Sequence, residues 1–162
     1  MNEKKKSLII FIAAAIVLCG VAAVGGFLMF GRQEARISRF EKLNLQVSGM
    51  RISEEYELIC QGEQSLLSRY EKFYGNGEEQ RRLSGQVTVA TAQVIEQLNA
   101  CAVLKWDGFH GEHPKYVLDG TMFRFELDLG EGKVIHADGS QNFPKYYYEL
   151  ENWLADLLRE AE

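Results

Sequence analysis

Proline, cysteine and histidine are scarce in this chain of 162 residues, with two, three and three copies. Two prolines and no Ser/Thr/Pro-rich tract exclude a long extended stalk. Three cysteines cannot make a disulfide framework. Cys19 lies inside an apolar run, which leaves Cys60 and Cys101 as a possible disulfide pair. The plain reading of those two is small buried thiols, because a bridge requires Cα atoms within about 7 Å and the sequence does not place them. A basic stripe is also missing. Lys4, Lys5, Lys6 and Glu3 precede the apolar run, so from Gly31 onward 15 Lys+Arg face 22 Asp+Glu. That balance excludes nucleic-acid binding and argues against lying on anionic headgroups. No serine-hydrolase elbow, Walker-type phosphate loop, dinucleotide fingerprint or EF-hand run occurs. No cofactor is therefore implied.

What the sequence does have, first, is Leu8–Phe30, LIIFIAAAIVLCGVAAVGGFLMF, without charge or proline. As a helix it reaches about 34 Å, enough for a hydrocarbon core of roughly 30 Å. A cleaved signal would end in a small-x-small site followed by polar chain. Here Ala22, Ala23, Gly25 and Gly26 are followed by apolar Phe27–Phe30. Lipidation at Cys19 is disfavoured by the bulky Leu18 before it. The expectation is a retained transmembrane helix over residues 7–30 behind a basic tail at 1–6. Lys4–Lys6 favour a cytoplasmic N-terminus, although Arg32, Arg36, Arg39 and Lys42 crowd the other flank. The expected location is thus the cell membrane, single-pass, with the domain outside. Ala15/Cys19/Ala23 and Ala22/Gly26 would admit a second helix, but nothing requires a homodimer.

Residues 31–42 read as a juxtamembrane linker and 43–162 as one α+β domain. Apolar alternation predicts strands at Leu43–Val47, Tyr56–Cys60 and Leu66–Tyr74, then a polar edge strand at Glu79–Gln86, with Gly75-Asn76-Gly77 as a turn. Val87, Ala90/Thr91, Val94, Leu98 and Cys101 then fall at helical spacing. Met122–Leu129 alternates Phe123, Phe125, Leu127 and Leu129 against charged residues, and Lys133–Ala137 returns as a hairpin. A last helix follows, with Pro144 in its first turn. The expected architecture is an antiparallel sheet, meander plus hairpin, with two packed helices.

The strings Trp106-Asp107-Gly108-Phe109, Val117-Leu118-Asp119-Gly120, Gly139-Ser140 and Phe143-Pro144 give the domain a resemblance. From about Gly49 onward it resembles a group of uncharacterised domains in secreted, lipid-anchored or membrane-tethered proteins of Gram-positive gut bacteria. Where those relatives often carry Asn directly after Gly-Ser, this chain has Gln141 and then Asn142. The resemblance implies the order of elements and an extracytoplasmic setting. It implies no activity.

Two constellations are candidates for function. Asp107, His110 and His113, with Glu112 between and His136 further on, offer metal ligands, although a Gly/Pro loop is a poor scaffold for zinc. Trp106, Phe109, Tyr116 and Tyr146 offer an aromatic patch for a protein, peptide or glycan partner. Tyr146, Tyr147 and Tyr148 point in three directions on a helix, so at least one faces outward. The expected function is a non-enzymatic extracytoplasmic binding module, the alternative a membrane-tethered hydrolase, possibly metal-dependent.

Overall fold

The computed structural model describes residues 35–50, 53–75, 77–116 and 119–161. The apolar run, Cys19, the basic tail, Asn76 of the turn and Val117-Leu118 lie outside them. Among the described residues no helix is long and apolar enough to cross a membrane.

Among the described residues seven strands form one sheet. They are β1 (Lys42–Ser48), β2 (Ser53–Gln61), β3 (Gln64–Gly75), β4 (Glu78–Ala90), β5 (Phe109–Gly111), β6 (Met122–Asp128) and β7 (Val134–Ser140). Their spatial order is β4-β3-β2-β1-β6-β7-β5. Alternation of apolar residues at every second position is clearest in β1 and β6. All pairings are antiparallel except β5 with β7. Helices α1 (Thr91–Ala100) and α2 (Tyr147–Arg159), with a 3₁₀ turn at Val103–Trp106, complete an α+β domain.

Register fixes which face is dry. Leu43, Leu45 and Val47 of β1 stand opposite Leu58, Tyr56 and Glu54 of β2, and opposite Leu127, Phe125 and Phe123 of β6. These rows join Val94 and Leu98 of α1 and Tyr147, Leu150, Leu154 and Leu158 of α2 in one core. Both helices therefore cover the same face. Gly85 faces α2, where an added Cβ would lie in ordinary van der Waals contact with Leu158 Cδ2, at 3.4 Å.

Three expectations are corrected. Helix α1 starts at Thr91, not near Val87, because β-branched Val87 and Val89 continue β4 opposite Leu67 and Ser65. Pro144 precedes α2, whose N-cap is Tyr146 in the left-handed region (φ 66°). The stretch before Leu43 is not simply linker. Ile37 and Phe40 are buried core residues, and Asn99 clamps the Ile37 backbone from both sides, accepting from its N–H and donating to its carbonyl at 2.8 Å each.

Candidate functional site

Among the described residues, no helix covers the second face of the sheet. It is built from the alternate positions of the same strands, and polar side chains predominate on it. Glu55 is only 6% exposed there. It accepts from Asn44 Nδ2 at 2.6 Å and meets Lys72 Nζ at 3.4 Å and Arg81 at 3.5 Å. Lys72 also reaches Glu79 at 2.8 Å, Lys42 pairs with Glu57, and the Arg81 guanidinium lies 4.3 Å from the Tyr70 ring centroid. Long side chains thus lie over the sheet and satisfy one another in place of a covering element.

At the β5 end this face opens into a hollow of about 460 Å³. Gln46 and Ser48 line it from β1, Met122 and Arg124 from β6, Asp138 and Ser140 from β7, and His110, Glu112 and His113 from β5 and the residues after it. Parallel pairing sets His110 beside Asp138, and His110 Nδ1 lies 2.8 Å from Asp138 Oδ2. His113 Nδ1 and the Ser140 hydroxyl share a hydrogen bond of 2.7 Å. His136, two pairs along the β6–β7 ladder from Asp138, lies 3.7 Å from Glu126.

Of the strings that carry the resemblance, Gly139-Ser140 lines this hollow. A Cβ on either Gly111 or Gly139 would overlap the Asn142 carbonyl oxygen, so both glycines are needed for the chain after Ser140 to fold back. A Cβ on Gly120 would meet Gln141 and His113. Trp106 Nε1 donates to the Lys145 carbonyl at 3.1 Å, tying the first string to the last. Phe143 then stacks on Tyr147, ring centroids 4.6 Å apart.

The candidate residues separate accordingly. Trp106 is 2% exposed and belongs to the core, so it is no part of a surface patch. Phe109 is half-buried against Phe123, Tyr116 is 97% exposed, and Tyr146 sits under Lys145. The aromatic patch is thereby dispersed. Asp107 accepts from the His136 backbone N–H at 3.3 Å, while His110 and His113 turn to different partners. Among the described residues no three His, Cys, Asp or Glu side chains gather to hold a metal. Cys60 and Cys101 are free thiols and form no disulfide, and burial pushes the Cys101 thiol pKa up, away from reactivity. Sequence reasoning missed Asp138, Ser140 and Arg124. Arg124 lay in an expected strand, while Asp138 and Ser140 fall past the expected end at Ala137, and only the register shows what all three face.

A second polar group sits on the helix side. Tyr56 donates to Glu54 at 3.1 Å, and burial and Glu54 push its phenol up to about 12. Glu151 is also raised, by burial and then by Glu54. The Tyr147 hydroxyl is buried with no hydrogen-bond partner among the described residues.

Compared with protein-family models, curated proteins and solved structures, the chain matches none.

Proposed function

We propose that this protein is a single-pass membrane-anchored binding module that holds a polar ligand on the open face of its sheet, outside the cell. The observation that carries the reading is the hollow over β1, β6 and β7, on the face that no helix among the described residues covers. The anchor rests on the sequence, 23 apolar residues from Leu8 to Phe30. Six residues, Gly31–Arg36, separate that run from the first core residue, Ile37. The location outside rests on the basic tail and on the resemblance described above.

The test uses the full chain in intact cells, with a photo-cross-linking residue at Met122, which is 51% exposed beside the hollow, or at exposed Asn152 on α2. Adducts at Met122 and not at Asn152 are expected. Equal labelling at both positions, or none, would overturn the reading.

Hydrolysis is the second reading, favoured by the His113–Ser140 hydrogen bond of 2.7 Å. It needs no metal, with Ser140 as nucleophile and His113 as base. Against it, the N–H of Gln141, the natural oxyanion donor after Ser140, is engaged by the Thr121 carbonyl at 2.9 Å. Fluorophosphonate labelling that vanishes in Ser140→Ala would establish it over the binding reading; an unlabelled protein would eliminate it.

A further inference from the structure

The open face is a face of paired charges. Lys42, Lys72 and Arg81 each meet a carboxylate, and Asp138 is held by His110. Two charged groups depart from this pattern. Arg124, in the middle of β6, stands between Gln46 of β1 and Asp138 of β7. With Asp138 turned to His110, its guanidinium has no hydrogen bond or ion pair among the described residues. Glu112 likewise has none. Both line the same hollow, and they form no ion pair with each other.

An unpaired charge on an exposed loop is ordinary. Here the two are opposite in sign and share one concavity with hydrogen-bonding groups on its walls, Gln46, Ser48 and Ser140. A lone anion would suit Arg124 and be repelled by Glu112; a lone cation would have the reverse difficulty. A ligand bearing both charges satisfies both. The guanidinium fork matches a carboxylate in two parallel hydrogen bonds, and an ammonium brings three donors to a carboxylate and nearby hydroxyls. We infer that the hollow binds a zwitterion, an α-amino acid or short peptide, with its carboxylate on Arg124 and its ammonium on Glu112.

This inference rests on the open-face binding reading and narrows it to one ligand class. The volume of about 460 Å³ is of the size usual for small-molecule sites. The Ser48 and Ser140 hydroxyls remain to contact the ligand's backbone or side chain.

The experiment titrates the full-length protein in nanodiscs, reading the ¹³C-methyl signal of Met122 at the hollow's edge. The probes are alanine, alanyl-alanine, alaninamide (cation only) and propionate (anion only). Alanine or the dipeptide should shift Met122 saturably, and the stronger of the two identifies a free amino acid or a peptide as the source. Alaninamide and propionate should bind at least tenfold more weakly. Arg124→Gln and Glu112→Gln should each weaken the zwitterion at least tenfold. Both residues are exposed, so the spectrum elsewhere should stay unchanged. Equal binding of a single-charge probe, indifference to either substitution, or no shift with any probe would overturn the assignment. Cross-linking confined to Met122 with no alanine or dipeptide binding would leave the binding face standing and remove the zwitterion alone.

Discussion

The two faces of the sheet come from the same strands and solve opposite problems. On the helix side, Leu45, Phe125 and Ala137 form one cross-strand row, all nearly inaccessible to solvent. On the other side, one residue along, Gln46, Arg124 and Asp138 form the neighbouring row, polar throughout. The first face is held by burial and shape. The second is held by matched charges whose long side chains shield each other. Burial stabilises in proportion to apolar area, whereas a partly solvated ion pair returns little after desolvation. The helix side therefore carries the stability, and the open side is free to carry recognition.

The sharpest break of that contrast is a cavity in the dry row. Phe125 is fully buried and meets the Trp106 ring edge-on, with centroids 5.0 Å apart. Phe125→Ala should cost about 3–5 kcal/mol, read by urea denaturation of the full chain in detergent. A loss below 1 kcal/mol would mean that this row is not the core. A smaller effect is expected from the network behind it. Glu55→Ala leaves Asn44 and Arg81 without their acceptor, although Lys72 keeps Glu79. The expected loss is about 1–2 kcal/mol, toward the lower end for hydrogen bonds to a charged group. Arg124→Gln, unpaired in the same face, should stay within about 0.5 kcal/mol. A Glu55 effect no larger than that of Arg124 would show that the network contributes nothing.

How much of this was legible in the chain depends on whether an element has one wet face. β1 and β6 alternate cleanly because one side packs and the other faces water, so both could be read directly. The end of β4 could not, because Val87 and Val89 fall at spacings that run smoothly into Thr91, Val94 and Leu98 of α1. β5 has three residues, too few for any period, and its pairing depends on Gly111 passing under Asn142. Ile37 and Phe40 hide in the charged stretch GRQEARISRFEK, where two isolated apolar residues carry no pattern. Trp106 was grouped with a surface aromatic patch, but its indole is 2% exposed and its N–H donates to a carbonyl 39 residues away. The site was half visible. His110 and His113 stood out as a polar cluster, but their partners lie 28 and 27 residues further on, brought there by a parallel pairing that local spacing does not encode.

A last test concerns the buried side-chain polar atom on the helix side that has no partner among the described residues. Tyr147 is 1% exposed, its ring packed among Phe123, Phe143 and Trp106, and its hydroxyl has no partner among the described residues. A buried hydroxyl without a partner loses its water and gains nothing. Tyr147→Phe should therefore leave stability at neutral pH unchanged or raise it by up to about 1 kcal/mol. A loss above 1 kcal/mol would show that the hydroxyl is hydrogen-bonded in solution. Alkaline pH enlarges the signal. Burial raises the Tyr147 phenol, and burial with Glu54 holds Tyr56 at about 12, above the ordinary value of 10.0. The unfolded phenols lose their protons first, so the unfolded state binds fewer protons and stability falls as pH rises from 10 toward 12. Denaturation midpoints across that window should fall less steeply for Tyr147→Phe than for the parent, and less steeply again when Tyr56→Phe is added. Parallel pH profiles for all three proteins would mean that water reaches both hydroxyls, and that the helix side is no drier than the open face at this point.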